Sequence, residues 1–252
     1  MRKIDISFKR IQQLALPAII AGIAEPVLSS TDAAVVGNIA EFGTESLAAV
    51  GIVGTFISTI IWILAQTRSA ISAIISQNLG AGNLKSLTSF PAQAILFNIS
   101  LSFILLFSTY FFIEDILLFL RAEGKILEFS KEYYYIRIWG FPLTLFTFAI
   151  FGLFRGLQNT FWPMTIASIG VFINVGLDFI FVYGLEDFME PMGVKGAAWA
   201  SLIAQLVMAL LALVLVVTKT NISLKLKRKV HPEVKRLISM SFNLFIRSVA
   251  LN

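Results

Sequence analysis

Polar side chains that could do chemistry lie deep inside stretches that are otherwise almost entirely apolar. Glu25 and Asp32 are seven residues apart and share one face of a helix, and Asn174 and Asp178, four apart, share a face of another. A carboxylate near the centre of a membrane helix costs about 2.5–3.5 kcal/mol on insertion scales, so a function is its default explanation. If Asp32 and Asp178 meet in one cavity with Asn174, they could take up a proton or hold Na⁺ through oxygen ligands.

Several of these residues also have simpler explanations. Asp32 can lie in water near the outer end of a long helix, and Glu25 can merely accompany a bend at Pro26. Pro17 and Pro26 both interrupt the first apolar stretch, where they form either a gate that bends or a static kink. Gln205, in the last complete stretch, is either a cavity residue in contact with substrate or part of a helix–helix hydrogen bond.

Three further polar features are predicted to be structural. Arg68 is expected to reach the membrane edge rather than to contact a substrate. His231 is expected to be solvated in a polar loop. The basic run Lys225–Lys229 is expected to report orientation in the membrane, with contact to anionic lipid as the alternative.

The composition is that of a membrane protein. Of the 252 residues, 57% are hydrophobic and 14% are charged, whereas soluble domains carry about 45–50% and about 25%. The absence of Cys excludes disulfides and thiolate sites, and a single His argues against His-based catalysis. Nucleotide-binding glycine motifs are also missing. We therefore predict no catalytic residues, no enzyme activity and no cofactor, and the cations, spread between apolar runs, do not predict a nucleic-acid partner.

Six apolar stretches are long enough to cross a bilayer, which takes about 20 residues each. They are Ile11–Ile39, Ser46–Leu79, Ser89–Phe112, Tyr133–Leu157, Trp162–Gly184 and Val194–Thr218. The predicted fold is therefore an all-α integral membrane bundle of six transmembrane helices plus the start of a seventh. We divide the chain into a six-helix lobe (1–218), a basic cytoplasmic loop (219–236) and the start of a seventh helix (237–252) that is too short to span.

The distribution of Lys and Arg predicts the orientation. With the N-terminus inside, thirteen of the twenty cationic residues fall in inside segments, most of them before residue 11 or between residues 219 and 236. The outside segments are rich in Glu and Asp. The N-terminus and the basic loop are therefore predicted to be cytoplasmic, in the plasma (inner) membrane.

A short internal similarity links the end of the chain to its beginning. Lys235–Leu237 align with Lys9–Ile11 at an offset of 226 residues, and an apolar helix follows in both places. The match is short, so chance is the alternative. If it is real, a second repeat of the same bundle begins here.

Six motifs in chain order resemble the multidrug and toxic compound extrusion (MATE) family, in particular the branch named after the DNA-damage-inducible protein F. The motifs are Leu16-Pro17, Thr31-Asp32-x4-Gly37, Ser76–Gly82 (SQNLGAG), Arg155–Thr160 (RGLQNT) before Pro163, Asn174-x3-Asp178 and Gly193-x2-Gly196-Ala197-Ala198. None is highly specific alone, but each has the same place relative to the spans as in the family.

The resemblance implies the N-terminal half of a twelve-helix, two-lobe antiporter that exports cationic or amphipathic compounds in exchange for H⁺ or Na⁺. It also implies that Asp32, Asn174 and Asp178 form a polar cavity in this lobe. Transport would then need a second lobe or self-association, because this chain supplies one bundle. The alternatives are a non-transporting fragment, a half-size subunit that must pair, and a related lipid-linked flippase, which the acidic charges at membrane depth disfavour.

Overall fold

The computed structural model describes residues 7–185 and 188–250, except for the side chains of Arg10, Ala24, Glu25 and Val249. The described residues form α-helices joined by short loops, and their β-structure is a single bridge between Leu185 and Met189. The helices are α1 (Phe8–Gly37), α2 (Gly43–Leu64), α3 (Gln66–Gly80), α4 (Phe90–Phe119), α5 (Gly124–Arg137), α6 (Gly140–Gly156), α7 (Phe161–Tyr183), α8 (Val194–Lys219) and α9 (Pro232–Ala250).

Five candidate membrane spans are present among the described residues, or six if the bent pair α5 and α6 counts as one. The five are Ile11–Gly37, Gly43–Gly80, Phe90–Phe119, Phe161–Tyr183 and Val194–Lys219. The structure therefore confirms an all-helical chain with five or six membrane helices. The second span contains both α2 and α3, which meet at Ala65.

The predicted fourth span is not one straight helix from Tyr133 to Leu157. Its helical structure begins earlier, at Gly124, and bends by 47° between α5 and α6. Pro142 is the third residue of α6; it has no N–H to donate, and its ring crowds the carbonyl four residues earlier. The bend allows α5 to pack against α2 and α8 while α6 packs against α3, α4 and α8.

Glycines allow two pairs of helices to approach closely. A Cβ on Gly152 of α6 would lie 2.8 Å from the Arg68 carbonyl oxygen of α3, and one on Gly156 would lie 2.5 Å from the Ile75 Cβ. A Cβ on Gly196 of α8 would lie 2.5 Å from the carbonyl oxygen of Phe181 in α7. Small residues at such contacts are the usual means of packing membrane helices backbone to backbone.

The buried apolar side chains form two clusters, one toward each end of the bundle. One surrounds the end where α1 and α7 finish and includes Val36 and Val182. The other surrounds the opposite end and includes Phe90, Phe154 and Leu237. Leu237 belongs to α9, which packs against α3 and α4 and begins at Pro232. Residues 232–236, predicted as loop, are therefore helical, and α9 is not among the candidate spans.

Candidate functional site

Five polar side chains from four helices meet in the bundle interior, near the end where α1 and α7 finish. They are Asp32 of α1, Tyr133 of α5, Asn174 and Asp178 of α7, and Ser201 of α8, and we call them the acidic cluster. Asp32 is 1% exposed and both Asn174 and Asp178 are 0% exposed, so the cluster is closed to solvent. The alternative explanation, that Asp32 lies in water at a helix end, is therefore wrong.

Hydrogen bonds connect the cluster across the helices. Tyr133 Oη and Ser201 Oγ both donate to Asp32 Oδ2, at 2.9 Å and 2.8 Å. Asn174 Nδ2 donates to Ser201 Oγ at 3.2 Å. One carboxylate oxygen therefore ties α1 to both α5 and α8, and Ser201 extends the chain of bonds to α7.

Four buried oxygens of the cluster have no hydrogen-bond partner. They are Asp32 Oδ1, Asn174 Oδ1 and both carboxylate oxygens of Asp178. A buried acceptor without a donor costs free energy, and a buried carboxylate costs more. The two carboxyl groups are close enough for their charges to interact. A proton or a small hard cation would satisfy these oxygens, so the chemistry of the donor set fits either ion.

A cation also lies beside the cluster. Arg137 follows Tyr133 by one turn of α5, is largely buried, and has its Cζ 5.8 Å from the centre of the Tyr133 ring. Its charge acts on Asp178. Tyr133, Arg137 and Ser201 were not among the site residues predicted from the sequence. Their only local signals are the spacing Tyr133-x3-Arg137 and the position of Ser201 one turn before Gln205.

Gln205 lies in a separate cavity of about 160 Å³, which neither aspartate lines. Trp62 and Phe148 form part of its wall, and Arg68 lines it with the guanidinium Cζ 4.8 Å from the centre of the Phe148 ring. Arg68, which was predicted to reach the membrane edge, is half-buried, and its guanidinium lies against α6 in the lining of this cavity. Gln205 Oε1 is buried against Gly140 without a hydrogen-bond partner.

The remaining predicted residues lie along α1. Pro17 and Pro26 are both inside this single helix, and Pro26 borders a groove between α1 and α7 lined by Thr31 and Phe179. Glu25 is part of the helix, but its side chain is outside the described residues. Among the side chains that the structure describes, no group of three or more His, Cys, Asp or Glu is suited to a metal ion. Na⁺ binding would therefore require the Asn174 amide oxygen or backbone oxygens as well.

Comparison with known proteins identifies the family of the chain. The MatE family model matches residues 17–180. The chain is 27% identical over 202 residues to a probable multidrug resistance protein NorM of Thermotoga maritima, with 79% of this chain and 42% of the relative covered. It is 26% identical over 251 residues to the DNA damage-inducible protein F of Escherichia coli, with 97% and 53% covered. The chain thus spans about half the length of these curated relatives.

Solved structures share the fold. A MATE protein in the bent conformation superposes with a TM-score of 0.85 at 23% identity, covering 96% of this chain and 54% of that one. An inward-facing multidrug resistance MATE family transporter superposes with a TM-score of 0.77 at 21% identity, covering 91% and 52%. At these identities the superpositions establish the fold.

Proposed function

Because the chain belongs to the MatE family, we propose that it is the N-terminal lobe of a cation-coupled antiporter that exports cationic or amphipathic small molecules. The observation that carries this proposal is the acidic cluster, in which Asp32, Asn174 and Asp178 present four buried oxygens without partners. These three residues couple transport to H⁺ or Na⁺, and Ser201 and Tyr133 hold Asp32 in position. The lobe catalyses no covalent reaction and needs no cofactor.

Coupling follows from the way Asp32 holds α1. When Asp32 is ionised, hydrogen bonds from Tyr133 and Ser201 fix α1 against α5 and α8. A proton or Na⁺ at the cluster changes the charge that these donors bind, so the contacts that hold α1 weaken. The helix can then bend at Pro17 and Pro26, whose missing N–H groups leave two breaks in its hydrogen-bond ladder.

Substrate binding is assigned to the cavity that contains Gln205. Glu25 stays a candidate substrate contact on its position in the sequence. The wall of this cavity includes Trp62, Phe148 and Phe151, which suit an aromatic or apolar group. At about 160 Å³ the cavity is below the range of about 300–1,000 Å³ for ligand pockets, so it would hold only part of a drug-sized compound. Leu28 of the cavity is one turn from Asp32, and Gln205 is one turn from Ser201. An occupant of the cavity and an ion at the cluster would therefore act on neighbouring turns of α1 and α8.

Complete transport is assigned to this lobe together with a second one, because carriers with repeated bundles move one bundle against the other. The second lobe is either part of the same polypeptide or another copy of the chain. Exposed apolar side chains along α1, including Leu16, Ile19 and Ile23, are available to face it or to face lipid. A lobe that stays unpaired is expected to be inactive, as in the fragment and half-size alternatives.

A flippase for lipid-linked substrates is the second candidate function. The acidic charges predicted at membrane depth disfavour it. Arg68 favours it, because the guanidinium of this residue lines the cavity that contains Gln205 and can bind a phosphate. Transfer of a fluorescent lipid-linked phosphate across proteoliposomes, without export of cationic dyes, would favour this function.

The test of the main proposal is Asp178→Asn in a protein that joins this lobe to a second one. We expect loss of H⁺- or Na⁺-driven efflux of a fluorescent cation from cells, with nearly unchanged membrane abundance. Asp115→Asn is the matched control, because Asp115 is an exposed acid on α4 outside the cluster. Full efflux by the Asp178→Asn protein at equal abundance would remove this residue from the mechanism.

We propose that the N-terminus and the basic loop are cytoplasmic. Cysteine labelling tests this orientation of the chain in the membrane. This chain has no Cys, so single cysteines can be introduced at Ser223 and Glu186 without a background. An impermeant thiol reagent added to intact cells should label the cysteine at 186 and spare the one at 223; labelling of both would contradict the orientation.

A further inference from the structure

A second polar region, remote from the acidic cluster, lies where α3, α6 and α8 end. It is a cavity of about 450 Å³, a size in the range of about 300–1,000 Å³ that holds small-molecule ligands. Its polar lining includes Lys85, Thr88, Lys219 and Ser223. We call it the basic pocket. None of its lining residues belongs to the acidic cluster or to the cavity that contains Gln205.

All charged residues that line the basic pocket are cationic. Lys85 and Lys219 are exposed at its rim, and Lys227 reaches Thr88, with Nζ 3.2 Å from Thr88 Oγ1. No Asp or Glu is among the lining residues. The pocket therefore attracts an anion, and the hydroxyl and amide groups of its loop can donate hydrogen bonds to phosphate oxygens.

The lining of the pocket also contains apolar side chains, among them Ile75, Leu84, Leu157 and Ile222. A free phosphate has no apolar part to bury against them, whereas the glycerol and upper acyl carbons of a phospholipid do. One ligand with an anionic head and an apolar body therefore matches both kinds of lining residue.

The position of the pocket in the bundle also suits a lipid. It lies at the level where α3, α6 and α8 end and α4 begins, so the membrane surface passes close to it. Lys219 has its Nζ 5.6 Å from the ring centre of Trp162, the second residue of α7. Trp and Lys together at helix ends are typical of the membrane–water interface.

The pocket joins the lobe to the segment that leads to α9. Residues 219–223 form one wall and continue into the basic run, which Gln93 of α4 holds in place. Gln93 Nε2 donates to the carbonyl oxygens of Lys227 and Lys229, and Gln93 Oε1 accepts from the His231 N–H. His231 Nε2 is 3.3 Å from the Ser86 carbonyl oxygen in a solvent-exposed contact, so His231, predicted to be solvated in a loop, is half-buried there.

We propose that the basic pocket binds the phosphate headgroup of an anionic phospholipid, with Lys85 and Lys219 contacting the phosphate. The bound lipid fixes the segment 219–231 against the lobe and thereby sets where α9 begins. This inference goes beyond the proposed function and does not depend on it, because lipid binding requires neither transport nor the acidic cluster.

The experiment uses the 252-residue chain in nanodiscs of phosphatidylcholine with or without phosphatidylglycerol. Native mass spectrometry counts retained lipids, and the melting temperature is followed in parallel. We expect the wild-type chain to retain one phosphatidylglycerol and to melt at a higher temperature when that lipid is present. The double variant Lys85→Gln/Lys219→Gln should bind it about tenfold to thirtyfold more weakly, because each Lys near the membrane contributes to anionic-lipid binding.

Two control variants distinguish lipid binding in the pocket from attraction of anionic lipid by the total positive charge of this end of the bundle. Lys229→Gln/Lys235→Gln removes the same charge from the same end outside the pocket and should retain the lipid. Lys85→Arg/Lys219→Arg keeps the charge and should also retain it. Equal losses in the pocket pair and the Lys229/Lys235 pair would overturn the proposal in favour of a diffuse surface attraction.

A third arm distinguishes a lipid from a free phosphate. Inorganic phosphate or glycerol 3-phosphate is added to the chain in phosphatidylcholine nanodiscs. Neither should raise the melting temperature as phosphatidylglycerol does. An equal rise with inorganic phosphate alone would overturn the lipid assignment. Asp178→Asn should leave lipid retention unchanged, so failure here and failure of the transport proposal are distinguishable.

Discussion

The acidic cluster and the basic pocket lie at opposite ends of one bundle and satisfy their charges in opposite ways. Asp32 and Asp178 are buried between four helices, where each carboxylate depends on donors from other helices or on a bound ion. Lys85, between α3 and α4, and Lys219, at the end of α8, remain exposed, so water can solvate their charges. The comparison indicates that the first region suits a small ion that enters a closed site, and the second a large ligand that arrives along the membrane.

The two regions also differ in what positions their residues. At the acidic cluster, backbone contact between α7 and α8 at Gly196 sets the distance between Ser201 and Asn174. At the basic pocket, the hydrogen bonds of the Gln93 side chain hold a loop. A close helix contact tolerates almost no added volume, whereas a loop held by hydrogen bonds can open locally. Substitutions should therefore act globally at the first region and locally at the second.

The largest expected effect is on the helix contact beside the acidic cluster. Gly196→Ala would place a Cβ 2.5 Å from the Phe181 carbonyl oxygen, so α7 and α8 must separate. We expect the free energy of unfolding to fall by about 3 kcal/mol, the upper part of the range for overpacking. Unfolding in mixed micelles at increasing SDS fraction measures this change.

Gly176→Ala, in the neighbouring helix α7, is the matched control, because its added Cβ would meet no atom within 4 Å apart from the adjoining backbone of its own helix. It should leave stability unchanged or raise it by up to about 1 kcal/mol through better helix propensity. Equal behaviour of the two variants would show that the α7–α8 contact is less tight than described.

An intermediate effect is expected at the loop beside the basic pocket. Gln93→Leu removes the side-chain hydrogen bonds to Lys227, Lys229 and His231 while keeping a similar volume. Trypsin should then cleave within residues 225–229 about tenfold faster, because losing about 1.4 kcal/mol of local stability opens the segment tenfold more often. Global stability should change little.

Gln66→Leu is a control for replacing Gln by Leu, since Gln66 lies in α3 away from this loop. Its tryptic cleavage rate should match that of the wild-type chain. An unchanged rate in Gln93→Leu would contradict the role assigned to Gln93.

The smallest effect is expected from removing one donor of the acidic cluster. Tyr133→Phe deletes the hydroxyl that donates to Asp32 Oδ2 at 2.9 Å and leaves Ser201 as the other donor. Side-chain hydrogen bonds within membrane proteins contribute about 0.6 kcal/mol on average, and bonds to charged groups more, so we expect a loss of about 1 kcal/mol. The same SDS titration measures it.

Tyr110→Phe provides the comparison, because Tyr110 is 40% exposed on α4 and lies outside the cluster. A loss in Tyr133→Phe no larger than in Tyr110→Phe would indicate that Asp32 does not rely on the tyrosine. Ser201 would then be the main hydrogen-bond donor that holds Asp32, and with it α1, in place.

Much of the fold was predictable from local patterns, and the exceptions have local causes. Five of the apolar stretches coincide with candidate spans that are helical, because every backbone group in lipid must bond within its own segment. The bend between α5 and α6 was missed although Pro142 signals it, since hydropathy is uniform across the break. The start of α9 at Pro232 was not predicted, because the first turn of this helix is polar and its composition is typical of a loop.

The sequence by itself determined where helices form and which acidic residues lie at membrane depth, because hydropathy and helical spacing are properties of neighbouring residues. Only the tertiary structure decided which side chains meet them. Tyr133 and Ser201 are 101 and 169 residues from Asp32 along the chain, yet both bind the same carboxylate oxygen. Arg68 likewise lines a cavity because the glycines of α6 allow α3 to approach closely, which brings the Arg68 guanidinium to the Phe148 ring of α6. Such contacts depend on how distant helices pack, and no local pattern in the chain encodes that.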